Sequence, residues 1–192
     1  MISKIVNFIF EMLHLKAIKH EWWRLAWVES PDSVAEHSLN AAQIWYLLAK
    51  MEWVDAEKVC AMLVRHDMAE TRIGDITKVG ARYRSSKKEI EKLAFEAQIA
   101  ELSFAQSLRE LEEEMSARAT KEALVAKDAD YLEMAFQAKK YTEHGYGMAE
   151  DWIVNVGKSL KTESAKQLRN EMIKSKSTDR WSTTHLKKLP TS

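Results

Sequence analysis

The sequence has a single cysteine, Cys60, so it can form no intramolecular disulfide and offers no CxxC pair for a thiolate zinc module. Two prolines and five glycines are too few for a turn-rich β-sandwich, and they leave no Gly-rich loop to cradle a dinucleotide or triphosphate. No charge of one sign predominates. Lys plus Arg number 29, as do Asp plus Glu, and the zero net charge lacks the basic excess of a nucleic-acid binder. No apolar run exceeds that of Ile44 to Ala49, which is far too short to span a bilayer. Residues 1–16 hold apolar clusters, but Asn7 and Glu11 interrupt them and no small-residue cleavage site follows, which argues against a signal peptide. What is there is an ordinary globular composition, 46% apolar and 30% charged, in a 192-residue length that suits one domain. The expectation is one cytoplasmic domain, 1–192, with no nucleic-acid or membrane partner. The tryptophans are spread unevenly: five of the seven lie at or before Trp53.

The periodicity is helical almost throughout. Ile2, Ile5, Val6, Ile9, Met12 and Leu13 predict a first helix. Residues 17–31 break the pattern. Ser33-Val34-Ala35-Glu36 reads as a capping box that opens a second helix, running to about Met51. A third is expected from about Asp55 to Met68, then an irregular stretch, Thr71 to Ser85, holding Gly74 and Gly80. Further helices are expected over Ser86 to Leu102, in part of the acidic segment 103–118, and over Thr120 to His144, stopping at Gly145 and Gly147. One or two more lie between Glu150 and Ser175. The sum is an all-α bundle of about six to eight helices, with a core over about 1–150 and C-terminal helices and a basic tail over 151–192. From Lys158 to Ser192 there are nine Lys or Arg against three Asp or Glu. Such a run is ordinarily a solvated face and a frayed end; the sharper reading is a tail that attracts phosphate or contacts a subunit.

Four residues carry the chemistry. His37 lies one turn into the second helix, His66 and Asp67 are adjacent at the end of the third, and Asp130 lies in the long helix. Imidazole and carboxylate together suit a divalent first-row metal. Adjacent residues on a helix diverge by about 100°, so His66 and Asp67 can share one ion only where that helix end opens onto a site. Leu63 and Val64 before the pair, and Ala35, Leu39, Ala41 and Ala42 around His37, suggest core-facing positions. Buried polar groups need partners, and a shared metal would satisfy all four. Asp128 and Asp130 point about 200° apart, and periodicity does not choose between them. Glu70 is a carboxylate able to move a proton near the metal. Asp75 beside Gly74 also reads as a turn residue. Cys60, between Val59 and Ala61, reads as a small buried hydrophobe.

Four blocks occur in order: Ser33-Val34-Ala35-Glu36-His37-Ser38, His66-Asp67-Met68-Ala69-Glu70, Gly74-Asp75-Ile76 and Lys127-Asp128-Ala129-Asp130-Tyr131-Leu132. Together they resemble the HD-domain metal-dependent phosphohydrolases, in their 5′-deoxynucleotidase-like branch, over roughly residues 1–150. The resemblance implies a compact HD-domain helical bundle that assembles as a homodimer. It implies His37, His66, Asp67 and Asp130 as ligands of one divalent metal ion (Mn, Co, Zn, Ni, Fe or Mg). It implies Glu70 as a general acid or base and Asp75 near the sugar hydroxyl of a nucleotide. Relatives carry an Arg-x-Gly-Trp stretch before the capping box, whose Arg contacts phosphate. Here it reads Lys19-His20-Glu21-Trp22-Trp23-Arg24, with His20 in place of the Arg and Trp22 in place of the Gly. Lys19, His20, Trp23 and Arg24, with Asp75, are therefore the candidates for binding substrate and its phosphate. Trp22 could reshape the site or stack on a base; Trp27 and Trp53 fall where smaller residues are expected, and the plainer reading packs these indoles at a core edge or subunit interface. The implied activity is release of phosphate from (deoxy)nucleoside 5′-monophosphates. The alternatives are an HD-type phosphodiesterase, a nucleotide triphosphate hydrolase, or a non-catalytic helical module with a structural metal.

Overall fold

A computed structural model describes residues 1–83 and 87–181. Residues 182–192, the end of the basic tail, and the expected helix start at Ser86 lie outside the described residues. In chain order the helices are α1 (Ile2–Leu13), α2 (Val34–Glu52), α3 (Ala56–Leu63), α4 (Glu70–Ile73), α5 (Lys78–Ala81), α6 (Lys87–Ile99), α7 (Ala105–Ala117), α8 (Lys121–Glu143), α9 (Glu150–Ser159) and α10 (Glu163–Lys174). Eight of these have eight or more residues; with the single-turn α4 and α5 the total among the described residues exceeds the expected six to eight. The all-α class holds, with one isolated bridge pair, Lys19 and Ser33.

Local chemistry sets the helix starts. The Glu36 amide donates to Ser33 Oγ at 3.2 Å and the Ser33 amide to Glu36 Oε2 at 2.6 Å, which completes the capping box of α2. Asp55 accepts from the Glu57 and Lys58 amides to cap α3, and Thr120 from the Ala123 amide to cap α8. Gly145, at φ 100°, follows the end of α8 as expected.

Helix α8 is the spine. It packs against α2, α3, α7, α9 and α10, and Ala123, Ala126, Ala129, Ala135 and Ala138 on it are all fully buried. Such small side chains let neighbouring helices approach closely. Trp45, Leu48, Val59, Leu63, Leu132, Ile153 and Val156 belong to this main core, so α9 contributes to the same interior as α2. A second apolar cluster, with Met68, Phe95, Ile99 and Leu102, lies against Ile5, Phe8 and Met12 of α1. Residues 64–69 thus run from one cluster to the other.

Three expectations change. Helix α3 ends at Leu63, not Met68, and His66-Asp67 lie in tight turns before α4. The buried stripe of α2 is Val34, His37, Ala41, Trp45 and Leu48, whereas Leu39 is 60% exposed. Trp27 and Trp53 pack no core edge: they are 79% and 93% exposed, and both hold left-handed backbone, φ 63° and 57°, at the ends of a 3₁₀ turn and of α2. A side chain resists that conformation and glycine does not. Trp45→Ala is expected to cost about 3–5 kcal/mol by leaving a cavity. Trp53→Gly is expected to change stability by less than about 1 kcal/mol, in the stabilising direction. Denaturant unfolding of the two variants checks both, and equal losses would contradict the assignment.

Candidate metal centre

The turns at 64–69 bring two adjacent side chains onto one point. His66 Nε2 lies 2.9 Å from Asp67 Oδ2 and 3.6 Å from Asp130 Oδ1. His37 Nε2 lies 3.4 Å from His66 Nε2, 3.2 Å from Asp130 Oδ1 and 3.6 Å from Asp67 Oδ2. Two nitrogens and two carboxylate oxygens from α2, the 64–69 turns and α8 therefore face a common centre. A continuous helix would have sent His66 and Asp67 apart.

The outward nitrogens decide how the rings present themselves. His37 Nδ1 donates to Glu133 Oε2 at 2.5 Å, and His66 Nδ1 donates to the Leu63 carbonyl at 2.6 Å. A carbonyl oxygen only accepts, so His66 Nδ1 carries a proton and Nε2 is the nitrogen turned inward, the one that would ligate a metal. Metal-ligating histidines are held in this way by a carboxylate or a backbone carbonyl. Charge tells the same story. Burial works against charge on His66, yet Asp67 and Asp130 outweigh it and push its pKa up to about 10. Burial likewise opposes charge on His37, whose pKa Asp130 and Glu133 raise well above the ordinary value. Asp67 is largely shielded from water, which works against its charge, but His66 beside it holds its pKa down at about 2. The carboxylates thus demand two positive charges at the centre, and one divalent ion supplies both. The donor set fits one divalent metal ion. Asp67, a quarter exposed, marks its open side.

Glu70 and Asp75 flank that centre. Gln98 Nε2 donates to the Met68 carbonyl at 2.8 Å and to Thr71 Oγ1 at 2.7 Å, and Arg72 pairs with Glu11, so α6 and α1 clamp the turn that carries Glu70. Burial, then the charges of Asp67 and Asp75, push the Glu70 pKa up to about 9. Gly74, at φ 70°, turns the chain after α4 with open space around it, so backbone conformation and not crowding calls for glycine. Burial raises the pKa of Asp75, to which the Glu21 amide donates, while its Oδ2 is buried without a hydrogen-bond partner among the described residues. His20 is buried with its ring centroid 4.7 Å from that of His37 and its Nδ1 3.6 Å from Asp32 Oδ2.

The other substrate candidates fall elsewhere. Arg24 pairs with Glu21 at 2.7 Å on the surface. Lys19 sits in the bridge to Ser33. Trp23 is fully enclosed, edge-on to Tyr141 at 5.1 Å and 5.5 Å from Trp152, so it supports His20 from behind and presents no face to a substrate. Asp128 leaves the centre altogether: it accepts from the Lys161 and Thr162 amides at 3.0 and 2.6 Å and holds the start of α10. Sequence reasoning missed three residues. Glu133 orients His37, and its signal was Asp-x-x-Glu on one face of α8. Lys127 pairs with Asp130 from the turn before it. Lys87, whose Nζ donates to the Ile76 carbonyl at 2.9 Å, acts through its charge on both Glu70 and Asp75. Burial raises the thiol pKa of half-buried Cys60, in keeping with a packing role.

The HD domain model matches residues 12–172. The chain belongs to the HD domain family. Among its HD relatives, the 5′-deoxynucleotidase HDDC2 of Dictyostelium discoideum is 32% identical over 136 residues, 66% of this chain and 72% of that one. The Xenopus laevis protein of the same name is 28% identical over 73% of this chain and 71% of its own. A solved structural-genomics target shares the HD fold with a TM-score of 0.77 and 30% identity over 94% of this chain and 99% of its own.

Two outcomes follow from the geometry. Glu133→Gln is expected to weaken metal binding by about 10–100-fold through loss of the His37 hold, read by titration of the metal-free protein with Co²⁺. In metal-free protein Glu70 keeps a proton that the unfolded chain releases near pH 4.5, so its contribution to stability is complete below about 4.5 and is lost as pH rises to about 9. Glu70→Gln mimics the protonated form. Its melting temperature in chelator should match wild type near pH 4.5 and exceed it at pH 8; a constant difference across that range would refute the assignment.

Proposed function

We propose that this chain is a metal-dependent 5′-deoxynucleotidase that releases phosphate from deoxynucleoside 5′-monophosphates, with His37, His66, Asp67 and Asp130 as the metal ligands. The observation that carries the reading is the convergence of their four atoms beside a buried carboxyl, Glu70. The substrate class rests on the relatives named 5′-deoxynucleotidase. A divalent ion held by His37, His66, Asp67 and Asp130 would supply Lewis acidity for the attacking water and positive charge for the phosphate oxygens. Glu70, buried beside Asp67, supplies the proton transfer: its carboxyl passes a proton to the leaving 5′ oxygen as general acid. Asp75 Oδ2, buried and unpartnered among the described residues, accepts from a sugar hydroxyl. Glu133 and the Leu63 carbonyl fix both rings, and Lys127 holds Asp130.

The phosphate needs a cation that the usual Arg does not provide. Lys87 bears on Glu70 and Asp75 and supplies that charge, while the His20 ring, against His37 with Asp32 behind it, stands where the Arg is expected as a hydrogen-bonding group. The reading includes a homodimer in the cytoplasm. Its support is the apolar surface on α1, where Ile2, Ile9 and Phe10 are exposed, and the single half-buried cysteine. No helix among the described residues is long and apolar enough to cross a membrane.

The test is phosphate release from a panel of nucleoside mono-, di- and triphosphates and cyclic nucleotides with Mn²⁺, Co²⁺ or Mg²⁺. Wild type is expected to act on deoxynucleoside 5′-monophosphates and Asp67→Ala to lose that activity by several orders of magnitude. Equal release by both proteins sinks the proposal.

A further inference from the structure

The excess of positive charge that begins at Lys158 has a structural counterpart away from the metal centre. A cleft of about 300 Å³ opens between the end of α7, one face of α8 and the last turn of α9 with the connection to α10. That volume matches the lower end of small-molecule sites. Four cations from these three segments line it: Arg118, Lys127, Lys158 and Lys161. Lys127 already pairs with Asp130. Arg118, Lys158 and Lys161 are exposed and have no carboxylate partner among the described residues. His37, His66, Asp67, Glu70 and Asp75 take no part in the lining.

The cleft also has a built floor. Asp128 is fully buried there, and its carboxylate is engaged by the Lys161 amide, the Thr162 amide and Thr162 Oγ1 at 3.0, 2.6 and 2.8 Å. Those bonds tie the α9–α10 connection to α8, which keeps Lys158 and Lys161 beside Lys127. Like charges so arranged repel one another, and a multiply charged anion between them relieves that repulsion. Tyr131 forms part of the wall, with Lys127 Nζ 4.8 Å from its ring centroid. An aromatic face next to converging cations suits a planar base attached to phosphate.

We propose that this cleft is a second anion site, separate from the metal centre, that binds a phosphate group carrying two or more negative charges. Its sources are a nucleoside phosphate, with the base on Tyr131, or a free polyphosphate. The chain has net zero charge, so the attraction is local to the cleft and not a property of the whole surface.

Calorimetric titration of the metal-free protein with pyrophosphate, and separately with ADP, tests this without reference to hydrolysis. Saturable binding is expected in wild type and in Asp67→Ala. Charge reversal in the double variant Lys158→Glu, Lys161→Glu is expected to weaken it by more than about tenfold. The same variant, loaded with metal, should hydrolyse deoxynucleoside monophosphates like wild type, which also shows that it folds. ADP binding tighter than pyrophosphate, with the difference lost in Tyr131→Ala, assigns the nucleoside phosphate; equal binding unaffected by Tyr131→Ala assigns the polyphosphate. Absence of saturable binding of either probe, or equal binding by the charge-reversed variant, overturns the proposal. Failure of hydrolysis in wild type with binding intact would instead count against the nucleotidase reading alone.

Discussion

Two imidazole nitrogens and two carboxylate oxygens are held within 3.6 Å of His37 Nε2 or His66 Nε2, in an interior where His37 and Asp130 are almost wholly sequestered from water. Unpaired charge in such surroundings is costly, so the cluster is tolerable only with positive charge inside it. Much of the rest of the structure serves that requirement. Helix α8 supplies Asp130 on one turn and Glu133 on the next, with Lys127 on the turn before. Helix α2 supplies His37 from a stripe otherwise made of Val34, Ala41, Trp45 and Leu48. The end of α3 at Leu63 is equally necessary, because the tight turns after it allow neighbours in sequence to become neighbours in space.

The same turns explain why the proton-transfer candidate sits where it does. Residues 64–69 pass from the main core to the smaller cluster around Phe95 and Ile99, and Gln98 and the Glu11–Arg72 pair fasten the far end. Glu70 therefore lies buried beside Asp67, and two carboxyls in that position cannot both be charged cheaply. A group whose proton affinity is raised in this way is well placed for acid–base work near neutral pH. The departure at His20 belongs to the same neighbourhood. Its ring stands against His37, and Tyr141 donates to Asp32 behind it at 3.0 Å, so the substitution is built into the interior and is not a loose surface change.

Legibility from sequence followed the range of the interactions. The capping box of α2 and the bounds of α8 depend on residues three or four apart and were readable. Asp130 and Asp128 were indistinguishable by periodicity because α8 is buried on nearly every side: both carboxylates are enclosed, one facing the histidines and the other the start of α10. Glu133 escaped notice because its partner His37 lies 96 residues away. Trp23 is excluded from contact with substrate by its enclosure between Tyr141 and Trp152, both more than 100 residues away in sequence and so invisible to local pattern.

The sequence by itself determined a helical, disulfide-free, charge-balanced chain and the four ordered blocks that place it among HD proteins. Those properties are written in composition, short-range periodicity and motif order. Only the tertiary structure decided where Asp128 goes instead, which way each ring points, how Asp67 and Asp75 bear on the Glu70 proton, and that Trp27 and Trp53 face solvent. Each of these depends on what lies opposite across the core, and burial and Coulomb interactions are set by distances between segments that are far apart along the chain.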